Sequence, residues 1–409
     1  MRSMIGLTIV AALLMTMIGC ADPVEPKGEW YGLTPPSELE QVGLGYYWES
    51  TVSLPEGEQV QRIRLLDENV YLLTDANRLV AIDARTGIRK WDQVVAKAGR
   101  TVFAPTHADA VPLTKTVPGV AEILERSEAA EAPKLPTRNV VMLNTLDYMV
   151  VLDRSTGELF RKTDFRFAAN TGIATNGKLA FLGSHTGRYY AVLVDEAEIL
   201  WTRAAKDMIT ATPEYFKDKV YVASTDGTLT CLTAEDVIPK VMWRQRLEAG
   251  IFSSFHVDVR GCFVPGADQR VHAFDPADGR KLWPAFSCNG PFRSGVQVTT
   301  HNIYAYAQGD RFYAINLANG RQRWAHPDLR LIVAQVDENV YVVDKDGAMH
   351  IRNEFTGEDQ ATIPMKGDIL MARNATVPAV YTATKDGRVF CIRKTEAGYL
   401  KPEDLGISN

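Results

Sequence analysis

The residues able to act as nucleophiles, soft ligands or acid–base groups near neutral pH are five cysteines and seven histidines in 409 residues. They are scattered rather than gathered. Cys20, Cys231, Cys262, Cys288 and Cys391 include no adjacent pair and no CxxC. His107, His185, His256, His272, His301, His326 and His350 follow no metal-ligand spacing. Spacing supports no Ser-His-Asp set, no paired carboxylates and no phosphate-binding glycine loop. The aspartates fall mainly in turns, where the backbone favours them, and no spacing argues for a Ca²⁺ site. The expectation is a chain without resident metal or cofactor, whose work is binding rather than catalysis.

The elements that would position any binding residue come from one unit made repeatedly. Asn69 to Trp91 reads as an apolar strand (Val70–Thr74), a tight turn at Asp75-Ala76-Asn77, a second strand (Arg78–Asp83), then Thr86-Gly87 and Trp91. Close copies run from Gly261 to Trp283 and from Asn302 to Trp324; looser ones begin at Asn139, Lys178, Lys219, Asn339 and Ala379. A period of about forty residues built from short strands is the signature of a β-propeller with one four-stranded sheet per blade. Leu79, Val80, Ala81 and Ile82 are apolar on both faces, as a sheet packed between two neighbours requires. Asp226-Gly227, Asp346-Gly347 and Asp386-Gly387 read as hairpin turns, and Gly87, Gly157, Gly279, Gly320 and Gly357 as turns into an outer strand. Cys231 and Cys391 hold the place of Ala81 and read as small buried residues. Cys262 and Cys288 share the fifth copy; they either pair across it in an oxidising compartment or stay free, as geometry decides.

Residues 1–19 read as a signal segment: Arg2, an uncharged apolar run from Ile5 to Ile18, then Gly19-Cys20. The run is short of the ~20 residues a span needs. The Met17-Ile18-Gly19-Cys20 stretch resembles a bacterial lipobox, although Met17 stands where leucine is usual, and it marks Cys20 as the lipidated N-terminus. Ala21 after the cysteine implies, by the same resemblance, the outer membrane. Residues 20–43, with Pro23, Pro26, Pro35 and Pro36, read as a tether that could reach up to about 75 Å. The propeller is expected over 44–399 and a tail over 400–409. With a net charge of −5 and no Lys/Arg run, nucleic acid is not an expected partner.

The eighth copy lacks its final Trp and outer strand, while Tyr46–Leu54 is a strand without a hairpin partner. Trp48 within it occupies the place of a terminal Trp. That strand is therefore expected to complete blade eight and close an all-β, eight-bladed ring, removing free sheet edges. Copy two carries Phe160 at the Trp position and copy seven Gln360-Ala361, so both lack the aromatic plug. The first repeat-to-repeat step is longer by roughly thirty residues than the usual period. The extra segment, about 110–137, follows an inner strand expected at Thr101–Pro105 and contains a short helical stretch within Pro118–Ala132.

The pattern Leu-x-Ala-Ile-Asp-x-x-Thr-Gly-x-x-x-Trp resembles the quinoprotein-type, PQQ-like propeller repeat. Two families share it: quinoprotein dehydrogenases, and the BamB-type lipoproteins of the outer-membrane β-barrel assembly machinery. From Cys20 to about residue 395 the chain is similar to the second, in its lipobox, tether, closing Trp48 strand and eight repeats. The 110–137 insertion departs from that family's compact pattern. The dehydrogenases set two adjacent cysteines against their quinone; this chain has none, and an enzyme would have to use Asp207 or Asp368 as base. The resemblance implies a non-catalytic, lipid-anchored scaffold at the periplasmic face of the outer membrane, a monomeric subunit binding envelope proteins. The alternatives are a quinoprotein-like dehydrogenase, or an envelope binding module for another protein or polysaccharide. Arg62, Arg100, Asp207, Arg293, Arg330 and Asp368 are placed near the channel mouth. Arg100, Arg293 and Arg330, with Phe252 and Phe292, are the candidate partner contacts.

Overall fold

The computed structural model describes residues 33–112, 137–196, 198–367, 369–398 and 400. They form eight four-stranded antiparallel sheets. Seven are built in chain order. The eighth is assembled from both ends: Leu44–Thr51 pairs with Arg388–Lys394, followed by Val380–Thr384 and Ile369–Met371. Trp48 lies opposite Cys391, as Trp91 lies opposite Ala81, so the N-terminal strand closes the ring at the repeat position expected for it.

The repeat motif is a brace between blades. Along a row across three strands, Tyr71, Ala81 and Trp91 stand side by side, and the Tyr71 and Trp91 rings meet with centroids 6.0 Å apart. Tyr221–Cys231–Trp243 and Tyr381–Cys391–Trp48 repeat the row. Alanine or cysteine is required in the middle because two large rings close over it. Each indole then reaches the next blade. Trp48 Nε1 donates to the Ala84 carbonyl at 3.1 Å and Trp243 Nε1 to that of Pro276 at 3.0 Å; the hydroxyls of Tyr381 and Tyr221 donate to the same two carbonyls. All six described tryptophans donate to a neighbour's turn in this way.

The glycine of the motif belongs to that receiving turn. Gly87 has φ +74°, which an L side chain rarely adopts, and a Cβ there would lie 2.6 Å from Trp48. Gly157, Gly279, Gly320 and Gly357 meet Trp91, Trp243, Trp283 and Trp324 likewise. Thr-Gly and Trp thus interact between successive copies, not within one.

Two seams lack the brace. In blade two the residue opposite Val151, in the register of Trp91, is Arg161 and not the expected Phe160. Phe160 alternates to the other face, where it packs against the Met142 and Tyr190 cluster. Gly157 to Arg161 keeps the four-residue step of Gly87 to Trp91, which is the register signal. Blade seven has Ala361 opposite Ile351, as expected. Its neighbour is blade eight, whose outer strand comes from the N-terminus, so no continuous turn exists there to receive a Trp. Instead α1, Pro36–Glu40, fills the seam. Leu39 is fully buried in one cluster with Ile351, Ile363, Val380 and Ile392. Thr34 and Tyr46 tie the segment down: Tyr46 Oη donates to Thr34 O at 2.7 Å, and Lys366 N–H donates to Thr34 Oγ1 at 3.1 Å. The expected tether is therefore packed on the ring from residue 33 onward.

Blade connections segregate by end. Connections between first and second strands meet those between third and fourth: Ala84 N–H to Glu68 O at 2.9 Å, Arg154 to Asn139 at 2.9 Å, Glu354 to Glu338 at 2.8 Å. Hairpin turns between second and third strands meet the blade-to-blade loops at the other end, as in Asp75 to Gln59 and Thr225 to Met208. The innermost strand of blade two is Thr106–Pro112, not Thr101–Pro105. Its pattern is masked by a bulge between Ala108 and Val111, with Ala110 at φ +51°. The insertion follows this strand, so it leaves from the end opposite the blade-to-blade loops; residues 113–136 of it, like Cys20, Trp30, Tyr31 and Asp368, lie outside the described residues.

Candidate functional site

The expected mouth residues divide into a rim and a channel. On the rim, Arg100 forms an ion pair with Asp147, and its guanidinium lies 5.9 Å from the Tyr148 ring centroid. Arg330 sits 4.3 Å over Tyr306 and donates to the carbonyls of Pro327 and Leu329, both at 2.7 Å. Arg293 is exposed. Phe252 is 51% exposed, while Phe292 is 4% exposed and belongs to the core of blades five and six. Phe292 is thus corrected from contact to core; its backbone bridges to Ala307, which turns the ring inward. Met208 and Leu146 join Phe252 as exposed apolar residues of this end, and Thr210 Oγ1 donates to Phe252 O at 3.1 Å across the two loops. Sequence reading missed Met208 because its loop carries no repeat signal. Asp207 is exposed and its carboxylate caps Met208 N–H at 2.8 Å, a turn role rather than that of a base.

Inside the ring the eight innermost strands and their lead-ins enclose a cavity of about 760 Å³. Arg62 lines it as expected, and so do Arg64, Glu214, His256, Gln297 and Arg373, none singled out from sequence except Arg62. The overlooked signal is Gln61-Arg62-Ile63-Arg64: charge at every second position of an inner strand points the same way, into the axis. Arg62 Nη2 donates to Val102 O at 2.8 Å. Enclosure by protein raises the Glu214 carboxyl to about 8, against the opposing pull of Arg64. It lowers the pKa of Arg64 and Arg373 from the ordinary guanidinium range, and in Arg64 the like charge of Arg373 adds to this.

Groups elsewhere are engaged in structure. Cys262 and Cys288 are free thiols; Cys288 Sγ lies 3.2 Å from the carbonyls of Gln269 and Gly290. Burial pushes Cys231 and Cys391 up to about 11, so neither is an activated nucleophile. Asp67, Glu68 and His107 come within ligand distance of one another. However, His107 Nδ1 meets Asp67 at 2.7 Å, its Nε2 meets Tyr71 Oη at 2.8 Å, and Glu68 pairs with Arg154 at 3.0 Å. That set ties blade one to blade two and leaves no ring nitrogen for an ion. Thr362, His350 and Asp344 form a hydroxyl–imidazole–carboxylate chain at 2.9 and 3.0 Å. It runs across the second, third and fourth strands of blade seven, and Thr362 also donates to Asp359 at 3.1 Å.

The fold has close counterparts. BamB from Moraxella catarrhalis superposes with a TM-score of 0.61 at 16% identity, covering 86% of this chain and 97% of that one. A computationally designed protein, Ika8, gives 0.61 at 12% identity, covering 84% and 98%. By sequence, outer membrane protein assembly factor BamB of Yersinia pestis is 22% identical over 278 residues, 65% of this chain and 61% of that protein. The same factor of Moranella endobia is 23% identical over 271 residues, 63% and 62%. The chain thus spans about three fifths of the length of the curated relatives it matches. A family model described as outer membrane protein assembly factor BamB matches residues 147–240 and 239–401, more than half of the chain. With the propeller, its Trp–Gly braces and its N-terminal closure, this match makes the chain a member of the BamB family.

Proposed function

We propose that the protein is a non-catalytic accessory subunit in the assembly of outer-membrane β-barrel proteins, anchored through lipid on Cys20 and facing the periplasm. Family membership carries this reading, because what a propeller binds cannot be taken from its architecture alone. The ring supports it physically. A closed ring with Trp braces at six of its eight seams forms a stiff frame, and recognition on such a frame falls to its loops with little rearrangement. The rim offers arginine and exposed apolar groups together (Arg100, Arg293, Arg330, Phe252 and Met208), the residue types that dominate protein–protein hot spots. Of the two bases the dehydrogenase alternative would use, Asp207 is exposed and caps Met208 N–H, and Asp368 lies outside the described residues.

The test is co-purification from detergent-solubilised membranes, with the retained chains identified by mass spectrometry. Components of the β-barrel assembly machinery should be retained by wild type and lost from Arg293→Glu, a substitution that leaves every brace intact. Hot-spot truncations cost at least about 2 kcal/mol, roughly thirtyfold in affinity. Retention of other envelope proteins alone would replace this reading with that of a different binding module. Cys20→Ser should release the protein from the outer-membrane fraction; an unchanged distribution would remove the anchor.

A further inference from the structure

The channel holds guanidinium groups that no described residue pairs with directly. Arg64 and Arg373 line the same cavity from adjoining blades one and eight, and neither makes a hydrogen bond or ion pair with any described residue. Both are open to water within the channel while protein surrounds them closely enough to disfavour their charge. They also repel each other. Arg62 projects from the same strand two residues before Arg64 and spends one nitrogen on Val102 O. Among the described lining residues the acidic one is Glu214, whose attraction for Arg64 outweighs the repulsion from Arg373. No hydrogen bond joins it to either arginine, and enclosure favours its neutral form. By contrast, Arg154 is paired with Glu68 and Asp109, and Arg78 with Glu58 and Asp92. Two guanidiniums with no protein partner, facing one common space, have their donors free for an anion that enters the channel.

We propose that the central channel is a binding site for a small organic polyanion, its carboxylate or phosphate groups held by Arg64 and Arg373. Guanidinium forks suit both groups, because each offers two oxygens in one plane. The size fits: about 760 Å³ is within the range of small-molecule sites. The wall suits an organic body rather than a bare inorganic ion, since Phe103, Ile173, Tyr215, Phe255, Leu331 and Leu370 surround the charges. Gln297 is not available as a further donor, because its amide is paired with the backbone of Ile332 at 3.0 and 3.1 Å. The inference is independent of the assembly role, since channel and rim are separate sets of residues.

Isothermal titration calorimetry of the purified propeller with citrate and with pyrophosphate distinguishes the carboxylate from the phosphate form. One of the two should bind saturably at one site per chain. Arg64→Gln and Arg373→Gln should each weaken it about tenfold or more, the loss of one charge-assisted contact. Both variants should melt no lower than wild type without ligand, because neither arginine pairs directly with a described residue. Arg293→Gln on the rim should bind as wild type. The proposal is overturned if neither anion binds saturably, or if binding survives the double Arg64→Gln, Arg373→Gln variant. It is equally overturned if a hexaglutamate peptide binds where both small anions fail, since the channel would then take a polypeptide.

Discussion

The seam between blades six and seven and the seam between blades two and three are built from the same repeat, yet they are held differently. In the first, Trp324 lies on Gly357 and donates to Glu354 O at 3.0 Å. In the second, Arg161 stands in place of the Trp and its Nε is buried without a partner. Between Leu193 and Ile199 the sequence of blade three has no glycine, and neither has blade four between Thr233 and Val241, where Ala234 O nonetheless accepts from Trp201. Phe165, Phe167 and Tyr190 stack beside this seam instead, with the last two rings 3.6 Å apart, and a groove of about 280 Å³ remains. The comparison teaches that the brace is a two-residue device split across neighbouring copies. The glycine can be absent while the indole bond persists, as at Trp201, which donates to Ala234 O although that turn has no glycine. Where the Trp itself is missing, a different apolar group covers part of the gap. The seam between blades seven and eight obeys the same rule, with Leu39 of α1 as its cover.

The largest effect is expected where brace and closure coincide. Trp48→Ala removes a ring buried among Val52, Val70, Leu72 and Tyr381, together with the bond to Ala84. It should cost about 3–5 kcal/mol in denaturant unfolding, as large core aromatics do. An unchanged midpoint would mean that the N-terminal strand does not hold the ring. Leu39→Ala, at the covered seam, should cost about 2–3 kcal/mol by the same measurement, the lower end for a buried leucine. A negligible loss would reduce α1 to surface decoration.

Two glycines sharpen the rule further. Gly320 has φ +69° and faces the Trp283 ring, whereas Gly347 has φ +88° and open space around it. Gly347→Ala should lose only the backbone preference, about 1 kcal/mol. Gly320→Ala should lose more, because the indole must also move, and its excess over Gly347→Ala measures the brace. Equal losses would show that the glycine is there for backbone conformation alone.

The smallest effect concerns pH. Glu214 titrates higher in the folded chain than when unfolded, so the native state binds the proton more tightly. Stability should therefore be fully present below about pH 4.5 and decline as pH rises towards about 8. Arg62, Arg64, Arg373 and His256 face the same space, and the attraction of Arg64 moderates the decline. Thermal melts of Glu214→Gln should show a flatter profile across this window; parallel profiles would mean that the carboxylate is well solvated.

Much of this architecture could be read from residues alone, for a definite reason. Blade number, strand order and closure by Trp48 are local and periodic, so each copy restates the pattern and the missing eighth outer strand is visible as a gap. The Thr-Gly and Trp signals were legible as motif, but that they belong to different blades was not, because their contact is made between copies. The Arg161 register was legible too, by counting four residues from Gly157. The inner strand of blade two was hidden by its bulge, since an extra residue breaks the alternation on which a strand is recognised.

For the binding surfaces the division is sharper. The sequence by itself determined the repeat, the ring and the family, because these rest on backbone propensity and on burial repeated eight times over. Only the tertiary structure decided that Phe292 is core while Phe252 is exposed, that residues 33–43 cover a seam rather than hang free, and that Arg64, Arg373 and Glu214 share one channel. These residues lie on blades one, four and eight, far apart in the chain and in no common motif. Their meeting depends on ring closure, which brings the axis-facing positions of all eight innermost strands into one enclosed space.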